Sequence, residues 1–202
     1  MATIIDGKAI SQQIKEEVKA SIEALAREGI TVTLAVIQVG ADHASSVYVR
    51  NKKKACEATG IRSLSYELPE ETTEAELLDL IRELNDRKDV NGILVQLPLP
   101  KGIDEEKVLD SISPLKDVDG FHPQNVGCLS VGKPGFVSCT PAGVIQLLKR
   151  SGVEIAGKNA DAQNPAVRDR AVAARVADEG AGVGAGAVEG ARRVAAREGQ
   201  AA

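Results

Sequence analysis

Tyr48 and Lys52 stand four residues apart in Ser45-Ser46-Val47-Tyr48-Val49-Arg50-Asn51-Lys52-Lys53-Lys54, just after the apolar run from Leu34 to Val39. On a helix that spacing puts a phenol and an amine on one face, where both can reach a common small ligand and act as a catalytic dyad. The bland alternative is a solvated basic face, the commoner fate of such a run. His43 and His122 are the only imidazoles, and each invites a general-base reading. Neither is assigned chemistry, because His43 falls in a turn and His122 precedes Pro123 in a loop. Cys56, Cys128 and Cys139 are odd in number and lack metal-ligand spacing. They read as reduced structural thiols, and no zinc site is expected.

The chain that must position these groups has 202 residues, of which 43% are hydrophobic, enough for a packed core in one large or two small domains. A net charge of -4 argues against nucleic acid or an anionic membrane as the main partner. The positive charge gathered between Arg50 and Lys54 suits an anionic small molecule better. There is no run of 18 apolar residues and no basic-then-apolar leader, so a soluble cytoplasmic protein is expected.

Ile10, Ile14, Val18, Ile22 and Leu25 recur at spacings of four and three, which predicts an amphipathic helix over residues 9–28, capped by Gly29 and packed on a sheet edge. Residues 31–39 form a short β-branched run, as expected of a strand covered on both faces. Gly40-Ala41-Asp42 then turns into the helix of Tyr48 and Lys52, which runs to about residue 59. A weaker strand follows over 61–68. Thr73 with Glu76 makes a capping box for a helix carrying Leu77, Leu80, Ile81 and Leu84. Residues 92–97 form a third strand stopped by Pro98-Leu99-Pro100, and 104–112 a short helix before the turn at 113–120. Strands alternating with helices predict an α/β fold: a parallel sheet with helices on both faces, three layers in all. In such a sheet ligands bind outside the carboxyl ends of the strands. Gln96 sits at one of those ends, the helix of Lys52 begins after another, and Asp119 lies in a loop that converges on the same crevice.

Four stretches taken together resemble the bifunctional methylenetetrahydrofolate dehydrogenase/methenyltetrahydrofolate cyclohydrolase family. They are Tyr48-Val49-Arg50-Asn51-Lys52, Gly92-Ile93-Leu94-Val95-Gln96-Leu97-Pro98-Leu99-Pro100, Lys116-Asp117-Val118-Asp119-Gly120-Phe121 and Cys139-Thr140-Pro141-Ala142-Gly143-Val144. Their order and spacing match over about residues 2–160. The resemblance implies oxidation of 5,10-methylenetetrahydrofolate with NADP and hydrolysis of the methenyl product to 10-formyltetrahydrofolate, in a homodimer. It also implies roles for residues. Tyr48 stacks on the folate, Lys52 is the main catalytic group, Gln96 hydrogen-bonds Lys52, Asp119 holds the polar edge of the pterin, and Leu97 and Pro98 line the substrate site. These roles are chemically sound, since a carboxylate accepts from an aminopyrimidine edge and a flat ring suits an aromatic neighbour. Arg50, Lys53 and Lys54 repel a positive charge on Lys52 and attract the glutamate tail of a folate.

By the same resemblance residues 1–139 are the folate-binding catalytic domain and 140–160 the start of an NADP-binding domain. A strand and a glycine-rich phosphate loop should come next, and residues 161–202 do not supply them. Leu, Ile, Phe, Tyr and Lys vanish there in favour of Ala, Gly, Arg, Val, Asp and Glu, a composition with little to bury. Gly182-Val183-Gly184-Ala185-Gly186-Ala187 formally fits a dinucleotide fingerprint, but no strand-like run precedes it. The expectation is therefore a truncated or frameshifted tail, no recognisable cofactor-binding residue and no metal. Two other readings follow: a non-catalytic folate-binding chain, or a short-chain dehydrogenase using Tyr48 and Lys52, which would need a glycine-rich loop that residues 1–47 lack.

Overall fold

The computed structural model describes residues 4–40 and 43–155. Helix α1 (Gly7–Arg27) leads into strand β1 (Thr33–Val39), helix α2 (His43–Thr59) and strand β2 (Arg62–Leu68). Helix α3 (Glu74–Asp86), strand β3 (Gly92–Val95) and helices α4 (Glu105–Ser111), α5 (Pro123–Ser130) and α6 (Cys139–Arg150) follow. The three strands form one parallel sheet in the order β2-β1-β3.

All seven residues of β1 are buried, and their alternation divides the interior in two. Leu34 and Val36 face Val18, Ile22 and Leu25 of α1 and Val49 and Cys56 of α2. Ala35, Ile37 and Val39 face Leu77, Ile81 and Leu84 of α3 and Val108 of α4. A central parallel strand covered on both sides is the expected outcome of an unbroken β-branched and aliphatic run. Helix α1 lies over a face of the sheet beside α2, not at an edge as its pattern suggested. Strand β2, none of whose residues is fully buried, takes one edge.

Local chemistry sets the ends of the elements. Asp6 accepts from the amides of Lys8 and Ala9 at 3.1 and 3.0 Å, so α1 starts two residues earlier than its apolar periodicity indicated. The Thr73/Glu76 capping box is formed, with Thr73 N–H donating to Glu76 at 2.8 Å. Two expectations fail. His43 opens α2 instead of lying in a turn, and the loop expected around His122 contains α5. Pro123 opens that helix, where its missing N–H is harmless and its φ favourable, and His122 Nδ1 caps it by accepting from Gln124 N–H at 3.1 Å. Helix α6 is fastened to α1 by a two-pronged contact, Arg150 donating to both oxygens of Glu17 at 2.7 Å each.

The segment between α4 and α5 is tied down by Lys116, 8% exposed. Its Nζ donates to the carbonyls of Leu84, Asn85 and Arg87 at 3.0, 2.7 and 2.7 Å. These oxygens sit at the C-terminal end of α3, where carbonyls lack partners inside the helix and the dipole favours a cation. Burial lowers the pKa of the ammonium, with Asp86 and Asp89 opposing that shift. The Lys116 carbonyl accepts from Ile93 N–H at 2.7 Å, fastening the same residue to β3. Replacing Lys116 with Met keeps the apolar stem and leaves those carbonyls without the donor. The expected loss is about 1 to 3 kcal/mol, read as a lower urea midpoint at unchanged slope; an unaltered midpoint would show that water serves these oxygens equally well.

Candidate active site

Three segments meet at the carboxyl end of the sheet. Helix α2 contributes Lys52, half-buried, and one turn earlier Tyr48, 63% exposed despite its size. At 100° per residue Arg50 and Lys54 lie on the opposite side of α2 from Lys52, and both are exposed. The second segment follows β3. Gln96 N–H donates to the Ile37 carbonyl at 2.8 Å, so the ladder continues one residue past the strand and the side chain leaves the sheet there. Gln96 Nε2 donates to the Leu97 carbonyl at 2.7 Å, which turns Oε1 toward α2, and Lys52 Nζ donates to that oxygen at 3.1 Å. Pro98, exposed, follows across a cis peptide bond.

The third segment supplies Asp119, half-buried. Burial raises the pKa of its carboxyl above the ordinary 3.8, the Lys52 charge opposes this, and the Asp117 carboxylate adds to it. Cys139, at the start of α6, feels the same charges. Burial first, and the Asp119 carboxylate next, push its thiol up to about 12. It therefore stays protonated, and it donates to the Val118 carbonyl at 3.9 Å. Lys52, Gln96 and Asp119 are thus gathered as the sequence suggested, with Tyr48 on the same face of α2.

The sequence reading passed over what holds Asp119. Asp117 and Asn125, 2% and 4% exposed, are polar groups buried behind the loop. Asp117 stood inside a stretch read as a polar turn and as part of the family resemblance but was given no role, and Asn125 stood inside an unrecognised helix. Their best signal was two aspartates separated by a single valine ahead of a glycine. A shallow depression on α4, lined by Asp104, Glu106, Lys107, Asp110 and Ser111, shares no residue with the site and presents solvated side chains. No group of His, Cys, Asp and Glu among the described residues is arranged to hold a metal ion.

Residues 5–119 match the family model described as tetrahydrofolate dehydrogenase/cyclohydrolase, catalytic domain. Among curated relatives the chain is 69% identical over 158 residues to the bifunctional protein FolD of Lachnoclostridium phytofermentans, covering 78% of this chain and 56% of the relative. It is 67% identical over 159 residues to that of Agathobacter rectalis, covering 79% and 57%. The chain thus spans little more than half the length of these relatives. Among solved structures, the bifunctional methylenetetrahydrofolate dehydrogenase/cyclohydrolase of Campylobacter jejuni superposes with a TM-score of 0.80 at 50% identity, over 84% of this chain and 62% of that one. The Trypanosoma brucei dehydrogenase-cyclohydrolase, solved with NADP cofactor and inhibitor, gives 0.73 at 40% identity, over 78% and 54%.

The raised pKa of Asp119 has a consequence for stability. Between the ordinary carboxylate range and that raised value the folded chain holds more protons than the unfolded one, so Asp119 makes stability fall as pH rises through that window. Asp119→Asn removes the charge, and its urea midpoint should exceed that of the parent near neutral pH. The two midpoints should converge at about pH 3, where the carboxyl is protonated in both states. A variant less stable than the parent near neutrality would show that the Lys52 attraction outweighs the cost of burial.

Proposed function

Because the chain belongs to the tetrahydrofolate dehydrogenase/cyclohydrolase family, we propose that its described residues form a folate-binding catalytic unit. That unit hydrolyses 5,10-methenyltetrahydrofolate to 10-formyltetrahydrofolate and contributes the folate side of the oxidation of 5,10-methylenetetrahydrofolate with NADP. The observation that carries this is the Lys52 Nζ to Gln96 Oε1 hydrogen bond of 3.1 Å, made beside a half-buried Asp119. A lysine aimed by one amide and flanked by a carboxylate is equipped to move a proton at a fixed point.

In the hydrolysis, water adds to the methenyl carbon with formation of a C–O bond and loss of a proton. The hydroxyl then gives up its remaining proton as the C=O forms, the bond from that carbon to N5 breaks and N5 takes a proton up, so that one proton is released overall and the formyl group is left on N10. Lys52 is the group placed to take and return a proton, and Gln96 keeps Nζ pointed into the crevice. The uncovered ring of Tyr48 offers a flat surface to the pterin, Leu97 and Pro98 wall the site, and Asp119 accepts from the aminopyrimidine edge.

NADP is the cofactor that the family relationship suggests, and the described residues do not fit it. Among them no glycine-rich stretch follows a strand and opens a helix, the arrangement that cradles a dinucleotide diphosphate. The glycine-rich stretch near residue 184 lies outside the described residues, as do the rest of residues 156–202 and the expectation of a truncated tail. Residues 1–139 are read as the folate unit and 140–160 as the approach to a nucleotide domain. A homodimer in the cytoplasm is the setting that goes with this reading. No helix among the described residues is long and apolar enough to cross a membrane. Family membership displaces the short-chain dehydrogenase reading.

Lys52→Met keeps length and apolar stem while removing the charge and the proton. Hydrolysis of methenyltetrahydrofolate at saturating substrate should be lost with folate affinity largely retained, and parental turnover in this variant would remove Lys52 from the mechanism. Asp119→Ala should act on affinity more than on rate. Losing a charge-assisted contact costs about 1.5 to 3 kcal/mol, roughly ten- to a hundredfold in the folate dissociation constant. An unchanged constant would mean the pterin is held elsewhere, and folate binding without turnover in the unaltered chain would assign it the non-catalytic role.

A further inference from the structure

Behind Asp119 lies a buried carboxylate that the proposed chemistry does not use. Asp117, 2% exposed, accepts from Gly120 N–H at 3.1 Å, from His122 N–H at 2.8 Å and from Asn125 Nδ2 at 3.0 Å. Asn125 is itself committed on both sides, Nδ2 donating also to the Pro114 carbonyl at 2.9 Å and Oδ1 accepting from Phe136 N–H at 3.3 Å. The backbone on either side of Asp119 is therefore fixed. Val118, 2% exposed, fills the space that a Cβ on Gly92 would occupy, 2.5 Å from its Cγ1. Gly120 takes φ +67°, and a Cβ there would lie 2.8 Å from Ser138 N. Any L side chain at 120 would be strained and crowded, so the loop has one way to pass Asp119.

From this geometry we propose that Asp117 is a positioning residue, acting on folate recognition through Asp119 by holding the 118–122 backbone from behind. It rests on the reading of Asp119 as the group that binds the pterin. A carboxylate suits the task because three donors converge on it and it has only lone pairs to offer. An amide at 117 would turn an N–H₂ toward at least one of those donors. A buried group with a donor facing it and no acceptor relaxes by moving the backbone, here the backbone that carries Asp119.

The test is a double-mutant cycle in the full chain, with Asp117→Asn and Asp119→Asn made singly and together and the affinity for 5,10-methenyltetrahydrofolate measured by equilibrium dialysis. With Asp119 present, Asp117→Asn should weaken binding about tenfold; in the Asp119→Asn background the same change should cost less than about twofold, the mark of one residue acting through another. Equal losses in both backgrounds would overturn the proposal, because a general weakening of the fold gives that result. Amide hydrogen exchange in the ligand-free chain supplies a readout independent of folate. Exchange at Gly120 and His122 should accelerate in Asp117→Asn while that of Val36 in β1 stays as it was; no change, or a uniform acceleration, also counts against the proposal. If the unaltered chain binds no folate, the reading of the site fails, and the exchange pattern alone decides whether Asp117 holds the loop. Should Asp117→Asn not fold, Asn125→Ala removes one donor and keeps the carboxylate, and it should show the same non-additivity at smaller size.

Discussion

The constraint on which the rest depends is the burial of β1 on both faces. With no exposed residue from Thr33 to Val39, the strand has no surface on which to carry chemistry. Its side chains are spent on two separate clusters, one under α1 and α2 and the other under α3 and α4. The reactive groups come instead from the segments that follow the strands. Lys52 lies in the helix after β1, Gln96 just past β3 and Asp119 in the loop beyond α4. A parallel sheet concentrates these ends on one side, which is why residues far apart in sequence come together without any one element being built for the purpose.

Within that crevice the electrostatics are arranged in layers. The Lys52 charge favours the ionised form of Asp119 against the cost of its burial, while Gln96 supplies a neutral oxygen to the lysine. Behind them sit groups fully occupied with the protein itself: Asp117 with two amides and an asparagine, Lys116 with three carbonyls, Cys139 as a neutral thiol. Charges buried with such complete sets of partners are tolerated because each polar atom has something to bond. They convert a polar loop, which would otherwise sample many shapes, into a fixed support.

Much of this was legible in the sequence. Unbroken aliphatic runs marked β1 and β3, Thr73 with Glu76 marked the start of α3, and the spacing of Tyr48 and Lys52 marked a shared helical face. Legibility failed where one residue type has two uses. Pro123 reads as a helix breaker and serves as a helix opener. Asp6 precedes the apolar periodicity and so was left outside the helix it caps. Lys116 and Asp117 fared worst, because a lysine and an aspartate in a turn are ordinarily solvated. Nothing in the string shows that the ammonium meets the end of α3, some thirty residues earlier in the chain, or that the carboxylate faces inward.

The tie between Lys116 and α3 also bears on how this region can vary. Asn85 bonds the Ser111 carbonyl and Ser113 N–H at 2.8 and 2.9 Å, and three residues further on Lys116 returns to the same helix end. The chain from 111 to 116 is thus a span pinned at both ends to one object. Such a span is sensitive to its contour length more than to its composition. The half-buried Pro114 and Leu115 lie between the pins, so their side chains can be exchanged while the span keeps its reach. One residue more or fewer would pull the ammonium off its carbonyls or shift Asp119 along the crevice. Insertions and deletions, commonly the cheapest changes a loop can absorb, should be scarce here among related chains, even where the residues themselves differ.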